Sequence, residues 1–520
     1  MFKNFRIYLF AFLLILSFSG CGDEEVSIND QGGTLIVNEN VNEINFAVTS
    51  FDTFNPIMTR SESVAEFVKN VYEPLFEYDE HYNPMPVLAE DYKLSANGMV
   101  ASFNVKNVLF HDKTMLSPKD VVYTVNMIKN TDSIYSDNVK YIKSIYSDES
   151  GRVYVELTKP VVNFSGVLNF PVVKDGTPME IDPNYIPVGT GPCKYYGKRT
   201  TNEIIFTANE DWHGGETGFK NVLVNIFKDE FTVTHAFDAG EIDVIAARFI
   251  KNEAVSPRSE HTQNEYIENS LTFLGINNKS PKLTGKSTRK ALELLCDRGK
   301  IIDVEVYSKG REAKVPINPT AWFYPEIAEE TGDFETIKEI LKKDGWKSDE
   351  SGYYRDFEGA RQDLTLKILV NKDNEEKMKI ANNIAESMRS FGILVNLVEL
   401  DFPNYKAEVS AMNYELFVGE VIIDDSLDPS FLTASSGNYF GYENYVLDEI
   451  LAEMSKTADT SSIMEWAVKY GEVFNDEVPF IPLFFRKETV IYNKNIAGIP
   501  VPNCHQIYRD VDKWYISKTK

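Results

Sequence analysis

The chain has 520 residues, enough for about three structural units or one large two-lobed body. Hydrophobic residues make up 43% and charged residues 25%, an ordinary globular mixture, and 12% aromatic content excludes a chain that is mostly disordered. With 79 acidic against 53 basic residues the net charge is -26, which repels phosphate backbones and anionic headgroups and excludes nucleic acid as a partner.

At the N-terminus, Lys3 and Arg6 precede an uncharged apolar stretch from Ile7 to Gly20. It is too short to span a bilayer comfortably and reads as an export signal. The segment Phe18-Ser19-Gly20-Cys21 resembles the bacterial lipoprotein cleavage box, although Phe18 is unusual at its first position. The resemblance implies that 1–21 is a signal ending in a diacylated Cys21, so that two acyl chains hold the protein on the outer side of the cell membrane. Residues 22–33 are polar and acidic with paired glycines, as expected of a flexible spacer.

Further along, Ser117-Pro118-Lys119-Asp120 offers a capping hydroxyl, a proline for the first helical position and an acid at the third, before Val121, Val122, Val125 and Ile128. That predicts a helix from Ser117 onward. In 364–370, Leu364, Leu366 and Ile368 recur at period two, which predicts a strand. Met378, Ala381, Ala385 and Met388 then share one helical face for about four turns, closed by Gly392, and Ile393 to Leu400 reads as another strand. A strand–helix–strand unit of this kind predicts α/β architecture with parallel pairing.

Cys193, Cys296 and Cys504 are widely spaced and form no Cys-x-x-Cys, so they carry no metal or redox signature, and no disulfide is assigned. His81, His235, His261 and His505 are scattered singly, while structural hydrogen bonds suffice to explain His111 and His213, so no metal site and no cofactor is expected. There is no Gly-x-Ser-x-Gly elbow and no His-Glu-x-x-His. Gly189-Thr190-Gly191 lacks the length and the lysine of a phosphate loop, and the chain does not read as an enzyme.

Several segments, in order, resemble the family-5 extracellular solute-binding proteins, which include the oligopeptide-, dipeptide- and nickel-binding components of ABC importers. They are Asn55-Pro56, Val71-Tyr72-Glu73-Pro74-Leu75, Pro86 to Tyr92, Asn97-Gly98, Phe103 to Lys106, Phe110-His111-Asp112 and the Ser117 helix. Pro187 to Pro192 follows, with Cys193 where an aromatic residue is usual. Then come Asn209 to Gly215, Gly240 to Asp243, Arg289 to Arg298, Asp428-Pro429 and Pro479 to Leu483.

The resemblance implies a bilobed α/β fold of the type II periplasmic-binding-protein kind. Residues 34–75, 186–274 and 486–520 would form the first lobe, 76–185 an inserted subdomain and 275–485 the second lobe, with the lobes closing on ligand. It implies capture of short peptides for delivery to the permease subunits of an ABC transporter. A nickel chelate or other small solute on the same fold, or a role as a lipid-anchored ligand sensor, stands as the alternative.

For site residues, the resemblance gives Asp425 the ligand's amino terminus, because it lies three residues before the acid of Asp428-Pro429, with Asp424 in reserve. All three acids would also serve as plain turn residues. Where Gly-Trp is usual upstream, Gly419 is followed by Glu420. Arg60 and Ser61 fall in a loop that faces ligand in the family, where Arg60 could bind a carboxylate bidentately, although an ordinary surface arginine is the commoner role. Asn277, with Asn278, offers hydrogen bonds to a peptide backbone or else forms a turn.

Overall fold

Two long strands organise the molecule. His261–Ile276 and Ile481–Asn493 pair antiparallel, and runs such as Ile481-Pro482-Leu483-Phe484-Phe485 and Val490-Ile491-Tyr492 supply the branched and aromatic side chains that fit a pleated, buried surface. The computed structural model describes residues 42–250, 257–328 and 332–517, all within one compact unit, Glu39–Lys520. Cys21 lies outside the described residues.

Each half of the sheet grows from one end of this pair. In the first half, Val244–Ala246 joins Ile481–Asn493, and Glu43–Thr49 runs parallel to both Val244–Ala246 and Asn221–Phe227, beyond which Glu203–Ala208 and Cys193–Thr200 continue antiparallel. In the second half, Leu416–Ile422 lies antiparallel to His261–Ile276, and Thr365–Asn371 runs parallel to both Leu416–Ile422 and Leu394–Leu400. The mixed α/β fold expected from the sequence is thus present.

The strand–helix–strand unit forms as its spacing dictates. Glu375–Phe391 is capped by Asn374, whose side chain accepts from the Lys377 backbone N–H at 2.9 Å, and ends at Gly392 with φ 101°. Ile380, Ala381, Ile384, Ala385 and Met388 are fully buried in a core with Leu366, Ile368 and Val370. Burying one such branched or long side chain is worth about 1.5–3 kcal/mol.

The Ser117 helix spans Pro118–Asn130, but its start is organised differently from the simple hydroxyl cap. Asp120 accepts from both the Ser117 backbone N–H, at 2.8 Å, and the Ser117 hydroxyl, at 2.7 Å. This helix packs beside a four-stranded antiparallel sheet ordered Ala89–Leu94, Val100–Val105, Val153–Leu157, Ile142–Ser147. The sheet's core is continuous with that of the first half, since Phe103, Val153 and Val155 belong to the same buried cluster as Phe46, Phe67 and Trp514.

Two glycines of the segments with family resemblance have clear steric reasons. Gly98 turns with φ +67°, and a Cβ there would stand 3.0 Å from the Lys456 backbone of the second half. A Cβ on Gly189 would overlap the Val71 carbonyl, and the neighbouring Gly191 N–H donates to that carbonyl at 3.0 Å.

The pairing of the two long strands is interrupted twice, by a small shift between Thr272 and Phe273 and more widely near its middle. Ile267 faces Lys487 and Leu271 faces Phe485, so Glu268, Asn269 and Ser270 are looped out opposite Arg486. That break is where the two halves of the sheet meet.

Candidate ligand-binding site

Asp425 follows the carboxyl end of Leu416–Ile422, on the strand that separates the parallel part of the second half from the long antiparallel pair. In open α/β sheets the crevice outside such strand ends is where ligands bind. Five segments converge there. Asp425 Oδ1 lies 3.1 Å from His505 Nδ1, and Asp425 Oδ2 accepts from Asn138 Nδ2 at 2.8 Å. The Tyr78 hydroxyl donates to the Asp425 backbone carbonyl, and Asn163 Nδ2 donates to the Tyr78 oxygen at 3.0 Å.

His505 is firmly held. Its ring lies 4.2 Å from that of Tyr78 and 5.0 Å, edge to face, from that of Tyr82. Its backbone N–H donates to Asn503 Oδ1 at 2.9 Å and its carbonyl accepts from Lys69 Nζ at 2.6 Å. Burial alone would lower the imidazole, but Cys504 and Asp425 beside it push it up to about 10, from an ordinary 6.5. Burial would likewise raise the Asp425 carboxyl, yet His505 and the hydrogen bond from Asn138 hold it below its ordinary 3.8. Both directions describe an imidazolium–carboxylate pair.

Around this pair sits a balanced set of charges. Glu66 accepts from Lys69 Nζ at 2.7 Å and from the Ile507 N–H at 2.6 Å, while Arg248 lies 3.7 Å from Glu66 and 3.3 Å from Glu268. Asp424 pairs with Lys140 at 2.9 Å and accepts from the Ser426 hydroxyl. The 135–140 segment therefore grips Asp424 and Asp425 together.

Upstream on the same strand, a hollow of about 330 Å³ opens in the second half, lined by Phe273, Tyr405, Val409, Phe417, Val421 and Tyr439. Its polar groups are Asn371, Asn374, Lys377, Lys406, Ser410 and Glu420. Lys377, nearly enclosed, pairs with Glu420 at 2.7 Å and donates to Thr272 Oγ1 at 2.9 Å. Burial opposes the ionised form of Glu420, and Lys377 overcomes it, so that the carboxyl lies below its ordinary value. Glu420, standing next to Gly419, is thus an ion-pair partner rather than part of an aromatic platform, and the nearby apolar Ile422 is 75% exposed.

Among the described residues, the other site residues singled out in the sequence make no hydrogen bond or ion pair to Asp425 or His505. Arg60 pairs with the exposed Asp132 at 3.3 Å. The Ser61 hydroxyl donates to the Thr49 carbonyl at 2.7 Å and accepts from the Val64 N–H as N-cap of helix Glu62–Val68. Asn277 Nδ2 donates to the carbonyls of Met412 and Tyr414 at 3.1 and 2.9 Å, and its Oδ1 accepts from the Lys279 N–H. The side-chain hydrogen bonds of Ser61 and Asn277 are spent on the fold. Asp428 accepts from the Ser430 N–H and hydroxyl, the turn role open to it from the start.

His111 and His213 do structural work. His111 Nε2 bonds the Gly191 carbonyl at 2.9 Å, and burial lowers the imidazole to about 4; His213 Nε2 lies 2.9 Å from Glu73. Cys193 and Cys296 are free and buried, and burial holds both thiols well above their ordinary range, which disfavours the thiolate. His505, Asn138, Tyr78 and Arg248 were missed by sequence reasoning. Nothing local marks them, since Asn138 lies 287 positions from the carboxylate it serves.

A two-part sheet joined by crossing strands, with a polar cluster where its halves meet, defines the class of solute-binding proteins. The chain belongs to the bacterial extracellular solute-binding proteins, family 5, whose middle region matches residues 83–442. Proteins of this family are extracytoplasmic.

Among similar proteins, oligopeptide-binding protein AppA of Bacillus subtilis is 22% identical over 528 residues, covering 94% of this chain and 92% of that protein. Heme-binding protein A of Haemophilus influenzae is 22% identical over 460 residues, 80% of this chain and 81% of its own. The crystal structure of a nickel ABC transporter protein from Bacillus halodurans superposes with a TM-score of 0.76 at 18% identity, over 91% of this chain and all of that one.

Proposed function

We propose that this protein is a solute-binding lipoprotein of an ABC importer that captures short peptides between the halves of its sheet and delivers them to the permease subunits. In this reading 34–75, 186–274 and 486–520 act as the first lobe, 76–185 as its inserted subdomain and 275–485 as the second lobe. Cys21 carries the lipid that keeps the protein at the membrane surface. The observation that carries the reading is the convergence of segments from both halves on Asp425, beside a hollow sized and lined for an apolar side chain.

Similarity along nearly the whole chain to an oligopeptide-binding protein supports a peptide as cargo. Asp425 is the proposed organiser of the site, with Asp424 fixing the 135–140 segment against it. Arg60, exposed and held only by a surface pair, is free to reach a ligand.

The test is to purify the body from Gly22 onward, release its small molecules by gentle denaturation and identify them by mass spectrometry. Short peptides from wild type, and few or none from Asp425→Ala, are expected. Release of a metal chelate or other solute instead would replace the peptide reading. Labelling of intact cells with palmitate, lost in Cys21→Ala, tests the anchor.

A further inference from the structure

Several buried hydrogen-bond donors around Asp425 and Arg248 have no hydrogen-bond partner among the described residues. They are the Tyr135 hydroxyl, Arg248 Nε, the Tyr266 hydroxyl and His505 Nε2. Tyr135, Tyr266 and His505 are each more than nine-tenths buried. A buried polar atom without a partner carries a desolvation penalty, so three or four together call for an explanation.

They belong to one neighbourhood. Arg248 reaches the Cys504 carbonyl, next to His505, at 3.5 Å, and ion-pairs with Glu66 and Glu268 through its terminal nitrogens while Nε stays unpaired. Tyr135 lies within the electrostatic reach of Glu66, Asp425 and Arg248, and Tyr266 within that of Glu268 and Arg248. The segment that carries Tyr135 is the one that presents Asn138 to Asp425.

The chemistry of these atoms is one-sided. Guanidinium and imidazolium nitrogens can only donate, and phenolic hydroxyls donate readily. Both Asp425 oxygens, by contrast, already have partners, His505 and Asn138. Lys69, Arg248 and His505 are matched by Glu66, Glu268 and Asp425, and Glu488, also within reach of Arg248, is pushed toward its neutral form by burial and by Glu268.

We infer that this cluster receives a carboxylate of the captured solute, bound by Arg248, Tyr135 and His505, with Asp425 holding His505 in place rather than gripping a ligand ammonium. The inference rests on the reading of the Asp425 convergence as the capture site. Carboxylates are supplied either by a peptide's C-terminus or by its acidic side chains, and the two are separable.

The experiment uses native mass spectrometry of the body from Gly22 with three peptide pools of two to ten residues. One has free C-termini and no Asp or Glu, one has the same sequences amidated, and one is amidated with Asp and Glu included. Wild type is expected to prefer a carboxylate-bearing pool over the uncharged amidated one by about tenfold or more. Preference for the first pool assigns the terminal carboxylate, and preference for the third assigns a side chain.

Tyr135→Phe removes only an unpartnered hydroxyl. It is expected to keep or raise the melting temperature while cutting the carboxylate preference about tenfold. Equal binding of all pools overturns the inference and leaves peptide capture standing. If no pool binds, the capture reading falls and takes the inference with it. A Tyr135→Phe protein that melts lower with its preference intact shows the hydroxyl serving the fold, which also overturns the assignment.

Discussion

The strand–helix–strand unit of 365–400 and the cluster around Asp425 are built on opposite principles. The unit is local in sequence and apolar, with buried Ile380, Ile384 and Met388 packed on Leu366 and Ile368. The cluster is assembled from five distant segments, is full of charge, and leaves donors unpaired. Stability resides where every buried group is satisfied by its neighbours. In the proposed reading, recognition resides where the fold brings polar groups together and stops short of satisfying them all.

The largest expected effect tests the first side of that contrast. Ile384→Ala should cost about 3–4 kcal/mol in denaturant unfolding, because the helix is enclosed and cannot collapse into the cavity. Ligand preference in the protein that remains folded should not change.

Asp425→Ala tests the other side. It strands an imidazolium, and should destabilise by about 2–3 kcal/mol, below the range for fully enclosed pairs because the Asp425 side chain is 29% exposed. The same pair sets a pH dependence in wild type. His505, raised to about 10, contributes stability that is fully present below its unfolded value of 6.5 and is lost as pH rises through 10. Asp425, held below 3.8, contributes stability that is present above 3.8 and is lost as pH falls through its depressed value. Denaturation midpoints measured from pH 6 to 10 should therefore fall in wild type and flatten in Asp425→Ala.

Smaller effects sharpen the comparison at its margins. Asp120→Ala should cost about 1–2 kcal/mol, since it uncaps Pro118–Asn130 and frees the Ser117 N–H. Arg60→Ala, which breaks a surface pair with Asp132, should change stability by less than about 0.5 kcal/mol. Any larger loss of peptide binding in Arg60→Ala would then report contact with ligand.

The contrast also explains what could be read from the sequence. Period-two and helical spacings and the closing Gly392 are local, and they delivered the strand–helix–strand unit nearly to the residue. The Gly-rich Pro187 to Pro192 turn was legible as a motif, though its reason, contact with the Val71 carbonyl, is tertiary. Asp425 was singled out only by the family resemblance, which places it three residues before Asp428-Pro429. His505 looked like one of several isolated histidines, because its partner comes from the other half of the sheet. Ser61 carried a local signal of its own: a serine ahead of Glu62-Ser63-Val64 is a helix N-cap, and that is the work it does. Asn277 gave no such signal, since the carbonyls it holds belong to Met412 and Tyr414.

The break at Glu268–Ser270 has a mechanical consequence. The Ile423 N–H, two residues before Asp425, donates to the Asn269 carbonyl at 2.8 Å, so the weak point of the ribbon is tied directly to the cluster. Any bending there is therefore felt at Asp425 through one hydrogen bond two residues away, and it also bears on contacts such as Gly98 against Lys456 of the second half. A change among the buried charges would thus bear directly on the stretch where the two long strands part.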